Sequence, residues 1–350
     1  MLVAANPGAT TTTPSRAGSV PGYSPLVRAV RCTAYGPVAS SLAVEELPPL
    51  RAEPGQVVVS TRACGVNFPD SLIVEGKYQF KPEPPFSPGS EAAGVVKEVG
   101  DGVTGVRAGD RVIALMMHGG YAEEIVVAPE MLVPIPDGVS DVIAAGLLTT
   151  YGTTHYALRD RAALRAGETL LVLGASGGVG LAAVELGKLA GARVIAAASS
   201  DEKLAACGER GADALINYTR DDLRQRLRAE APDGVDVVYD PVGGARSEIA
   251  LRAMAWGGRH LVIGFASGEI PKVALNLALL KGCSIVGVFW GSFLMRAPAE
   301  ARALHAELLA WVAEGRLHPY VSATYPLERA ADALGDLIAR RVVGKVVLTT

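Results

Sequence analysis

A glycine-rich turn after an apolar run constrains the fold of this chain more than any other feature of its sequence. The run is Thr169–Leu173, and an alanine-rich stretch follows the turn. In such a turn the first glycine permits a tight bend, a middle one lets the backbone approach a pyrophosphate, and the last lets a helix pack closely on the strand. The helix that begins there presents free N–H groups to an anion. The pattern predicts a dinucleotide site that includes Gly174, Ser176, Gly177, Gly178 and Val179.

Strand and helix patterns alternate on both sides of this turn. The predicted strands are Thr169–Leu173, Arg193–Ala198, Leu215–Ile216, Val235–Tyr239, His260–Ile263 and Ser284–Val288. The predicted helices are 179–190, 201–210, 221–229, 247–253 and 273–280. Strands that are apolar throughout indicate a parallel sheet buried on both faces, and alternating βα units indicate a doubly wound sheet. We therefore predict an α/β fold of the Rossmann type over residues 149–298.

Residues 26–148 follow another pattern, in which glycine and proline interrupt short apolar runs. Turn signals such as Glu53-Pro-Gly55 and Gly100-Asp-Gly102 separate these runs. The pattern predicts a mainly antiparallel β-domain. Two further helices, 299–314 and 328–339, and a last strand, 344–348, are predicted to return to this domain, which then comprises 26–148 and 299–350.

Composition and charge exclude several classes of protein. The 350 residues carry 33 Lys+Arg against 36 Asp+Glu, and this slight acidic balance argues against a nucleic-acid partner. No apolar run approaches the roughly 18 residues of a membrane span. The four cysteines are far apart and form no CxxC pair, so we expect reduced thiols in a cytoplasmic protein. Residues 1–25 are rich in Thr, Ser, Pro and Gly, lack a secretory apolar core, and are predicted to be a disordered leader.

The end of the second predicted strand of the Rossmann unit distinguishes between dinucleotides. NAD sites place an Asp or Glu there for the ribose hydroxyls. This chain has Ser199 and Ser200 there, with Lys203 in the next helix. Two hydroxyls and an ammonium suit a 2′-phosphate, so we predict NADPH. Ser200 then caps the helix, with Asp201 as its first-turn acid; the alternative for Lys203 is a solvated helix residue.

Seven segments along the chain match motifs of one known family. They are Cys64-Gly-Val-Asn-Phe-Pro-Asp70, Glu75-Gly-Lys-Tyr-Gln79, Pro88-Gly-Ser-Glu-Ala-Ala-Gly94, Gly174-Ala-Ser-Gly-Gly-Val-Gly180, Ile216-Asn-Tyr218, Asp240-Pro-Val-Gly-Gly244 and Gly287-Val-Phe-Trp-Gly291. On these segments the chain resembles the zinc-free medium-chain dehydrogenases/reductases of the quinone oxidoreductase family. The resemblance implies a GroES-like catalytic domain beside the Rossmann domain, with the cofactor in the cleft between them.

The resemblance also implies roles for individual residues. In relatives that use NADPH, residues matching Lys203 and Tyr218 hold the 2′-phosphate, and a C-terminal arginine, here Arg340, often assists. Residues matching Asn67, Tyr78 and Thr153 line the cleft. The other cofactor-binding residues expected from the resemblance are Val242, Gly264, Phe265, Ala266, Phe289 and Trp290.

Two residues depart from the pattern of the zinc alcohol dehydrogenases. Asn67 stands where those enzymes have a zinc-binding Cys, and Ser90 stands at the His of their Gly-His-Glu motif. The lobe with four closely spaced cysteines is missing from this sequence. Because an amide and a hydroxyl are poor zinc ligands beside thiolate or imidazole, we expect no catalytic metal.

Several of these residues also have plainer interpretations. Asn67 is then a turn residue, and Asp70 the cap of the helix that follows. Tyr78 is then a phenol buried at the domain interface. For Phe289 and Trp290 the alternative is ordinary core packing.

The expected chemistry is hydride transfer to a small, hydrophobic, electrophilic substrate. A quinone or an α,β-unsaturated carbonyl accepts hydride and becomes an anion, which hydrogen-bond donors stabilise without a metal. We expect Asn67 and Tyr78 to be the donors, Phe265 and Trp290 to wall the pocket, and water to protonate the product. The alternatives are an enoyl-thioester reductase, acting on CoA or acyl-carrier substrates, and a non-catalytic NADPH-binding structural or regulatory protein.

The last predicted strand of the Rossmann sheet, Ser284–Val288, is apolar and lies at an edge that needs cover. The resemblance implies that two such edges pair across a twofold axis, so we expect a homodimer. The alternative is that the leader or the 291–298 loop covers the edge within one chain.

Overall fold

The first part of the chain contains most of an antiparallel sheet and three short helices. The computed structural model describes residues 26–350, so the predicted leader lies outside the described residues. The elements are β1 (Val27–Cys32), α1 (Val38–Ser41), β2 (Leu42–Leu47), β3 (Val57–Gly65), α2 (Phe68–Val74), β4 (Glu91–Val99), β5 (Arg111–Leu115), β6 (Glu124–Val127), β7 (Leu132–Pro134) and α3 (Asp141–Ala145), with a 3-10 turn at Pro129–Met131.

The rest of the chain alternates helices and strands before it returns to the first sheet. The elements are α4 (Leu148–His155), β8 (Thr169–Leu173), α5 (Gly178–Leu189), β9 (Arg193–Ala198), α6 (Asp201–Glu209), β10 (Ala214–Asn217), α7 (Leu223–Glu230), β11 (Val235–Asp240), α8 (Ala245–Arg252), β12 (Met254–Val262), α9 (Asn276–Lys281), β13 (Ser284–Gly287), α10 (Trp290–Arg296), α11 (Pro298–Ala313), β14 (Val321–Pro326), α12 (Ala330–Ile338) and β15 (Lys345–Thr349). A π-helical turn, Tyr156–Arg161, extends α4, and a 3-10 turn, Leu327–Arg329, precedes α12. Among the described helices, none has the length and apolarity to cross a membrane.

The first sheet has seven strands and includes the C-terminus of the chain. Its order is β14-β15-β3-β4-β5-β7, and β6 also pairs with β3. All of these pairings are antiparallel except that of β14 with β15. Strand β15 lies beside β3, with Val347 opposite Gly65, so the last strand returns to the first domain as predicted.

The second sheet is parallel throughout and has the order β10-β9-β8-β11-β12-β13. Its central strands are buried on both faces, as their continuous apolar sequence requires. This strand order and the separate antiparallel sheet confirm the predicted fold class. The order reverses between β8 and β11, and ligands of such sheets bind at the carboxyl ends of the strands at this point.

Three elements differ from the sequence prediction. Strand β12 begins at Met254, six residues before the predicted His260, because its first half contains Gly257 and Gly258 and reads as a turn. Residues 290–296 form helix α10 where the sequence indicated a loop, and strand β14 was not predicted.

Helix α11 contacts elements of both halves of the molecule, although its sequence position assigned it to the GroES-like domain. It contacts α4 of the Rossmann side and β7 of the antiparallel sheet. Its buried Leu304 and Leu308 belong to one apolar cluster with residues of both sheets, such as Leu170 and Ile113. The exact bounds of the two domains stay a prediction.

Candidate active site

The glycine turn follows β8 and leads into α5. Gly174 has φ +58°, and a Cβ there would lie 2.7 Å from Cγ2 of Val242. A Cβ on Gly180 would lie 2.4 Å from the carbonyl oxygen of Gly174. The sequence pattern predicted a tight bend at Gly174 and close packing of the helix on the strand at Gly180, and these two distances agree with both. The first distance also places Val242 beside the turn.

The C-terminal segment of the chain contacts the glycine turn directly. The backbone N–H of Gly344 donates to the carbonyl oxygen of Ser176 at 2.7 Å. Gly344 has φ +67°, and a Cβ there would lie 2.5 Å from the carbonyl oxygen of Tyr320. The next residue, Lys345, begins strand β15, so the turn is attached to the sheet of the other domain.

The predicted 2′-phosphate residues lie together at the end of β9. The Nζ of Lys203 lies 3.3 Å from Oγ of Ser199 and donates to the carbonyl oxygen of Arg340 at 2.7 Å. Ser200 caps α6, as predicted, because its Oγ accepts from the backbone N–H of Lys203 at 3.3 Å. Asp201, the first-turn acid, faces the guanidinium of Arg220 at 2.7 Å. The corner thus offers hydroxyls and an ammonium, and the carboxylate of Asp201 is paired with Arg220.

Arg340 and Tyr218, the other two residues expected at the 2′-phosphate, lie next to this corner, and their role there stays a prediction. Arg340 has φ +58°; its carbonyl oxygen meets Lys203, while its guanidinium donates to the carbonyl oxygens of Ala266 and Ser267 at 3.2 and 3.3 Å. The guanidinium of Arg246, which the sequence interpretation missed, stacks over the ring of Tyr218 at 4.1 Å. Arg246 thereby adds a cation near the adenosine end of the predicted site.

A buried carboxylate shapes the turn after β11. Oδ1 of Asp240 accepts from the backbone N–H groups of Val242 and Gly243, both at 2.9 Å. Its Oδ2 accepts from Ser247 at 2.5 Å and lies 3.1 Å from Nε2 of His260. Burial alone would raise the pKa of Asp240, but the hydrogen bonds from His260 and Ser247 hold it below its ordinary value. The carboxylate therefore fixes the turn that lies against the glycine turn.

The predicted pocket walls differ in exposure. Phe289 is 60% exposed and Phe265, in the loop with Gly264 and Ala266, is 37% exposed. Trp290 is only 9% exposed and stacks on Phe293 at 5.6 Å. A Cβ on Gly152 would lie 2.4 Å from Cζ2 of Trp290, so its indole is closely packed, and its role as a pocket wall stays a prediction.

Thr153 occupies helix α4, next to the glycine that the indole contacts. Its hydroxyl donates to the carbonyl oxygen of Thr149 at 2.6 Å, and the residue is 9% exposed. Only the acceptor side of this hydroxyl is available to a ligand. Its role in the cleft stays a prediction.

A buried ion pair that the sequence interpretation missed lies beside Asn67. The ammonium of Lys345 donates to the carbonyl oxygen of Val66 at 2.9 Å, to Oδ1 of Asn67 at 2.7 Å and to Oε1 of Glu91 at 3.2 Å. Glu91 also accepts from the backbone N–H of Thr149 at 2.9 Å. Lys345 and Glu91 are 5% and 0% exposed. Both charges are therefore paired and hydrogen-bonded, as burial requires.

The ion pair determines the orientation of the Asn67 amide. Because an ammonium only donates, Oδ1 must face Lys345, and Nδ2 then faces Glu91 at 3.1 Å and Oγ of Ser90 at 3.4 Å. Both amide hydrogens are engaged within the protein. In this geometry Asn67 has no free hydrogen to give to a substrate, so its role as a donor stays a prediction that this arrangement does not support.

Asp70 serves the local structure of α2. Its Oδ2 accepts from the backbone N–H of Asn67 and from the hydroxyl of Tyr121, both at 2.8 Å. Asn67 is the N-cap of α2 and Asp70 is the third helical residue of its capping box, so Asp70 stabilises the start of the helix but is not the cap that the plainer alternative expected. Burial raises the pKa of Asp70 to about 6, although these hydrogen bonds oppose the shift. Its other oxygen, Oδ1, is buried without a hydrogen-bond partner in the described chain.

Tyr78 is half-buried, and its hydroxyl makes no hydrogen bond within residues 26–350. Burial, and next the nearby Asp70 carboxylate, raise the pKa of the phenol. The hydroxyl therefore stays protonated at neutral pH. It is a donor without a protein acceptor, which is the state that the predicted role requires.

The sequence contains a signal that could have indicated the buried ion pair of Lys345 and Glu91. Glu91 stands before an apolar run in β4, and Lys345 opens the apolar strand β15. Opposite charges at such positions are expected to pair, because a lone buried charge is costly. The sequence does not show which charges pair. Lys345 and Glu91 meet because β15 pairs with β3, and β3 pairs with β4.

Comparisons with known proteins agree with this architecture. Residues 53–137 match the family described as alcohol dehydrogenase GroES-like domain, and residues 178–310 match the family described as zinc-binding dehydrogenase. The fold and these matches define a medium-chain dehydrogenase/reductase. The chain belongs to the quinone oxidoreductase family within that class.

Individual relatives align with most of this chain. The quinone oxidoreductase-like protein 2 homolog of Nematostella vectensis is 41% identical over 300 residues, which cover 84% of this chain and 82% of that protein. A mycobacterial protein solved in complex with NADPH is 32% identical, with a TM-score of 0.86. The alignment covers 93% of this chain and 100% of that protein's chain. The Escherichia coli quinone oxidoreductase complexed with NADPH is 28% identical, with a TM-score of 0.86. The alignment covers 92% of this chain and 100% of that enzyme's chain.

The description of one matched family mentions zinc, and the residues here do not suit that metal. The two predicted ligand positions hold the neutral side chains Asn67 and Ser90. The ammonium of Lys345 lies 2.7 Å from the only ligating oxygen of Asn67, and would repel a cation there. Zinc sites use thiolate, imidazole or carboxylate ligands, and the carboxylate of Glu91 is already paired with Lys345.

Proposed function

We propose that this protein is an NADPH-dependent reductase that transfers hydride to a small quinone or α,β-unsaturated carbonyl without zinc. The main support for the proposal is that one short segment, Gly344–Lys345, contacts both the glycine turn and the residues around Asn67. Gly344 binds the glycine turn at Ser176, while Lys345 holds Asn67. The predicted dinucleotide turn and a polar cluster of the other domain are therefore held next to each other, which supports a site between them. The four free thiols accord with a reducing compartment such as the cytoplasm.

The chain offers a complete set of groups for NADPH. The start of α5 suits the pyrophosphate, since its N–H groups and positive dipole end face an anion. Ser199, Ser200 and Lys203 suit the 2′-phosphate, with Tyr218 and Arg246 close to them. The turn at Val242 and the loop Gly264–Ala266 lie at the strand ends where the nicotinamide half is expected.

The residues of the chain then act on the substrate by position and by hydrogen bonding. NADPH supplies a hydride when bound. The exposed rings of Phe265 and Phe289 offer an apolar surface that suits a small hydrophobic acceptor and excludes water. The protonated hydroxyl of Tyr78 donates to the oxygen on which negative charge develops. Water protonates the product, because no side chain in the cluster is a free acid.

An enoyl-thioester reductase is the second candidate, and the lysines next to Tyr78 give it little support. A CoA or acyl-carrier handle requires a basic rim. Lys77 is paired with Glu75 at 2.8 Å, which leaves the exposed Lys81 as the main free positive charge of this segment. Turnover of a quinone, an enone and an enoyl-CoA with NADPH distinguishes the candidates, and the absence of all turnover favours the non-catalytic alternative.

We also propose a homodimer formed through the edge of the parallel sheet. Strand β13 is one of the two edge strands of this sheet, the other being β10, and Ile285 on β13 is 41% exposed. Apolar side chains in the segments before and after that strand are more exposed still: Ile270 at 71%, Leu275 at 77%, Leu279 at 78%, Leu280 at 68% and Met295 at 75%. Within residues 26–350, helix α10, which replaces the predicted 291–298 loop, does not bury these side chains. A second copy of the chain would cover the edge and the apolar patch together.

A further inference from the structure

Ser90 has a hydrogen-bond donor that no residue of the described chain uses. Its Oγ accepts from Nδ2 of Asn67 at 3.4 Å, and its carbonyl oxygen accepts from the N–H of Met116 at 2.9 Å. The hydroxyl hydrogen itself has no acceptor within residues 26–350. Ser90 is half-buried, whereas Asn67, Glu91 and Lys345 are at most 5% exposed. Ser90 is therefore the member of this cluster that meets the solvent.

The buried neighbours determine where the Ser90 hydrogen can point. Lys345 fixes Oδ1 of Asn67, so Nδ2 is directed at Glu91 and Ser90. Because Asn67 donates to Oγ, the hydroxyl hydrogen cannot return that bond and is free to point away from Asn67. The ion pair and the amide thus hold a serine hydroxyl as an outward donor.

The cluster lies against the place where the dinucleotide is proposed to bind. A Cβ on Gly178, the first residue of α5, would lie 3.2 Å from Cδ of Lys345 and 3.0 Å from Cγ2 of Thr150. Glu91, next to Ser90, accepts from the N–H of Thr149 at the start of α4. A substrate beside the cofactor would therefore lie within reach of this cluster.

We propose that the Ser90 hydroxyl is a catalytic residue that donates a hydrogen bond to the substrate carbonyl oxygen, an assignment that rests on the proposed reductase function. For an enone, hydride from NADPH forms a new C–H bond at the β-carbon. The C=C electron pair shifts to form an enolate, and the carbonyl oxygen becomes an oxyanion, which the Ser90 O–H stabilises without losing its proton. Water then protonates the α-carbon, and NADP⁺ and the saturated ketone are released.

Ser90→Ala and Ser90→Thr test the assignment with steady-state kinetics on an enone and a quinone. The alanine variant should lower kcat for the enone at least about tenfold, and Ser90→Thr should restore most of it. The loss should be smaller for the quinone, since a hydroquinone anion is less basic than an enolate and accepts weaker hydrogen bonds. A merely structural defect would slow both substrates alike. NADPH affinity and the melting temperature should stay unchanged, as in the exposed control Ser40→Ala.

The failures of the two proposals are separable. An active wild type whose Ser90→Ala variant reduces the enone at the wild-type rate overturns the role of Ser90 and leaves the reductase function intact. An equal loss for both substrates, or a loss that threonine does not restore, overturns it as well. A wild type that reduces neither the quinone nor the enone overturns the proposed function, and the assignment of Ser90 with it.

Discussion

The Nζ of Lys345 lies 2.7 Å from Oδ1 of Asn67, although 278 residues separate them along the chain. The preceding residue, Gly344, binds the carbonyl oxygen of Ser176 in the glycine turn. One short segment therefore holds the expected cofactor side and the expected substrate side of the cleft in fixed relation. Such fixed geometry favours hydride transfer, because the reacting atoms must lie within roughly 3–3.5 Å of each other.

Replacing Lys203 with alanine should reduce the preference for NADPH over NADH. The ammonium lies beside Ser199, where a 2′-phosphate would accept a charge-assisted hydrogen bond. Losing that contact should cost about 1.5–3 kcal/mol, or roughly tenfold or more in NADPH affinity, with NADH affinity almost unchanged. Fluorescence titration of both cofactors measures the effect, and the exposed Arg224→Ala on α7 controls for loss of charge. Equal affinity of the wild type for both cofactors would refute the prediction.

Tyr78→Phe should slow turnover while leaving cofactor binding alone. The phenol is half-buried, protonated and without a protein acceptor, so the substrate oxygen is the partner that we expect. Removing one such donor should lower kcat by about 10–1000-fold with NADPH affinity largely unchanged. If the ring only packs against the antiparallel core, where it contacts the apolar cluster, the variant should keep the wild-type rate. Steady-state kinetics with NADPH decides between the two.

Ile285→Asp should convert a dimer into a monomer. Ile285 lies on the edge strand β13, and a carboxylate there would be buried and unpaired if two edges join. Light scattering at micromolar concentration should give twice the 36.2 kDa chain mass for the wild type and about the chain mass for the variant. The control is Met131→Asp, a similarly exposed residue away from this edge. A monomeric wild type would contradict the dimer.

The protein should lose stability in acid through His305. Burial lowers the pKa of this imidazole from 6.5 to about 4, and neither ring nitrogen has a hydrogen-bond partner in the described chain. Above pH 6.5 the group is neutral in both states; as the pH falls from 6.5 towards 4, the unfolded state takes up the proton first, so stability is lost. At about pH 5 the loss should be about 2 kcal/mol.

His305→Leu should remove that part of the pH dependence. Urea unfolding at about pH 7.5 and about pH 5 gives the free energy of unfolding of each protein. The stability of the variant relative to wild type should rise by about 2 kcal/mol between the two conditions. If the stability of the variant relative to wild type does not change with pH, folding does not lower the pKa of His305.

The sequence predicted the parallel sheet well, because its signals are local. Continuous apolar strands, the glycine turn and the Ser200 cap each lie within a few residues, and each appears in the structure where it was expected. Strand β12 was shortened in the prediction because Gly257 and Gly258 resemble a turn. In the structure they lie in an irregularity between Met254 and Arg259, the residues that pair with β11, and Gly257 has φ +75°. The local preference for a turn is therefore kept, and the strand includes it as a bulge.

The site was predictable only in part. The phosphate corner follows from adjacent residues, so Ser199 and Lys203 could be paired from sequence. The orientation of Asn67 depends on Lys345 and Glu91, which the register of three strands brings together, and no local pattern encodes that register. The engagement of both Asn67 hydrogens, and the free donor of Ser90, could therefore emerge only from the folded chain.

Oxidation of NADPH, followed by absorbance with a quinone, an enone and an enoyl-CoA as separate acceptors, tests the central claim most directly. The full chain treated with a chelator and the untreated chain should reduce the quinone or the enone equally well. Enoyl-CoA should be a much poorer acceptor. Tight NADPH binding without turnover of any acceptor, or activity that chelation abolishes and zinc restores, would contradict a zinc-independent quinone or enone reductase.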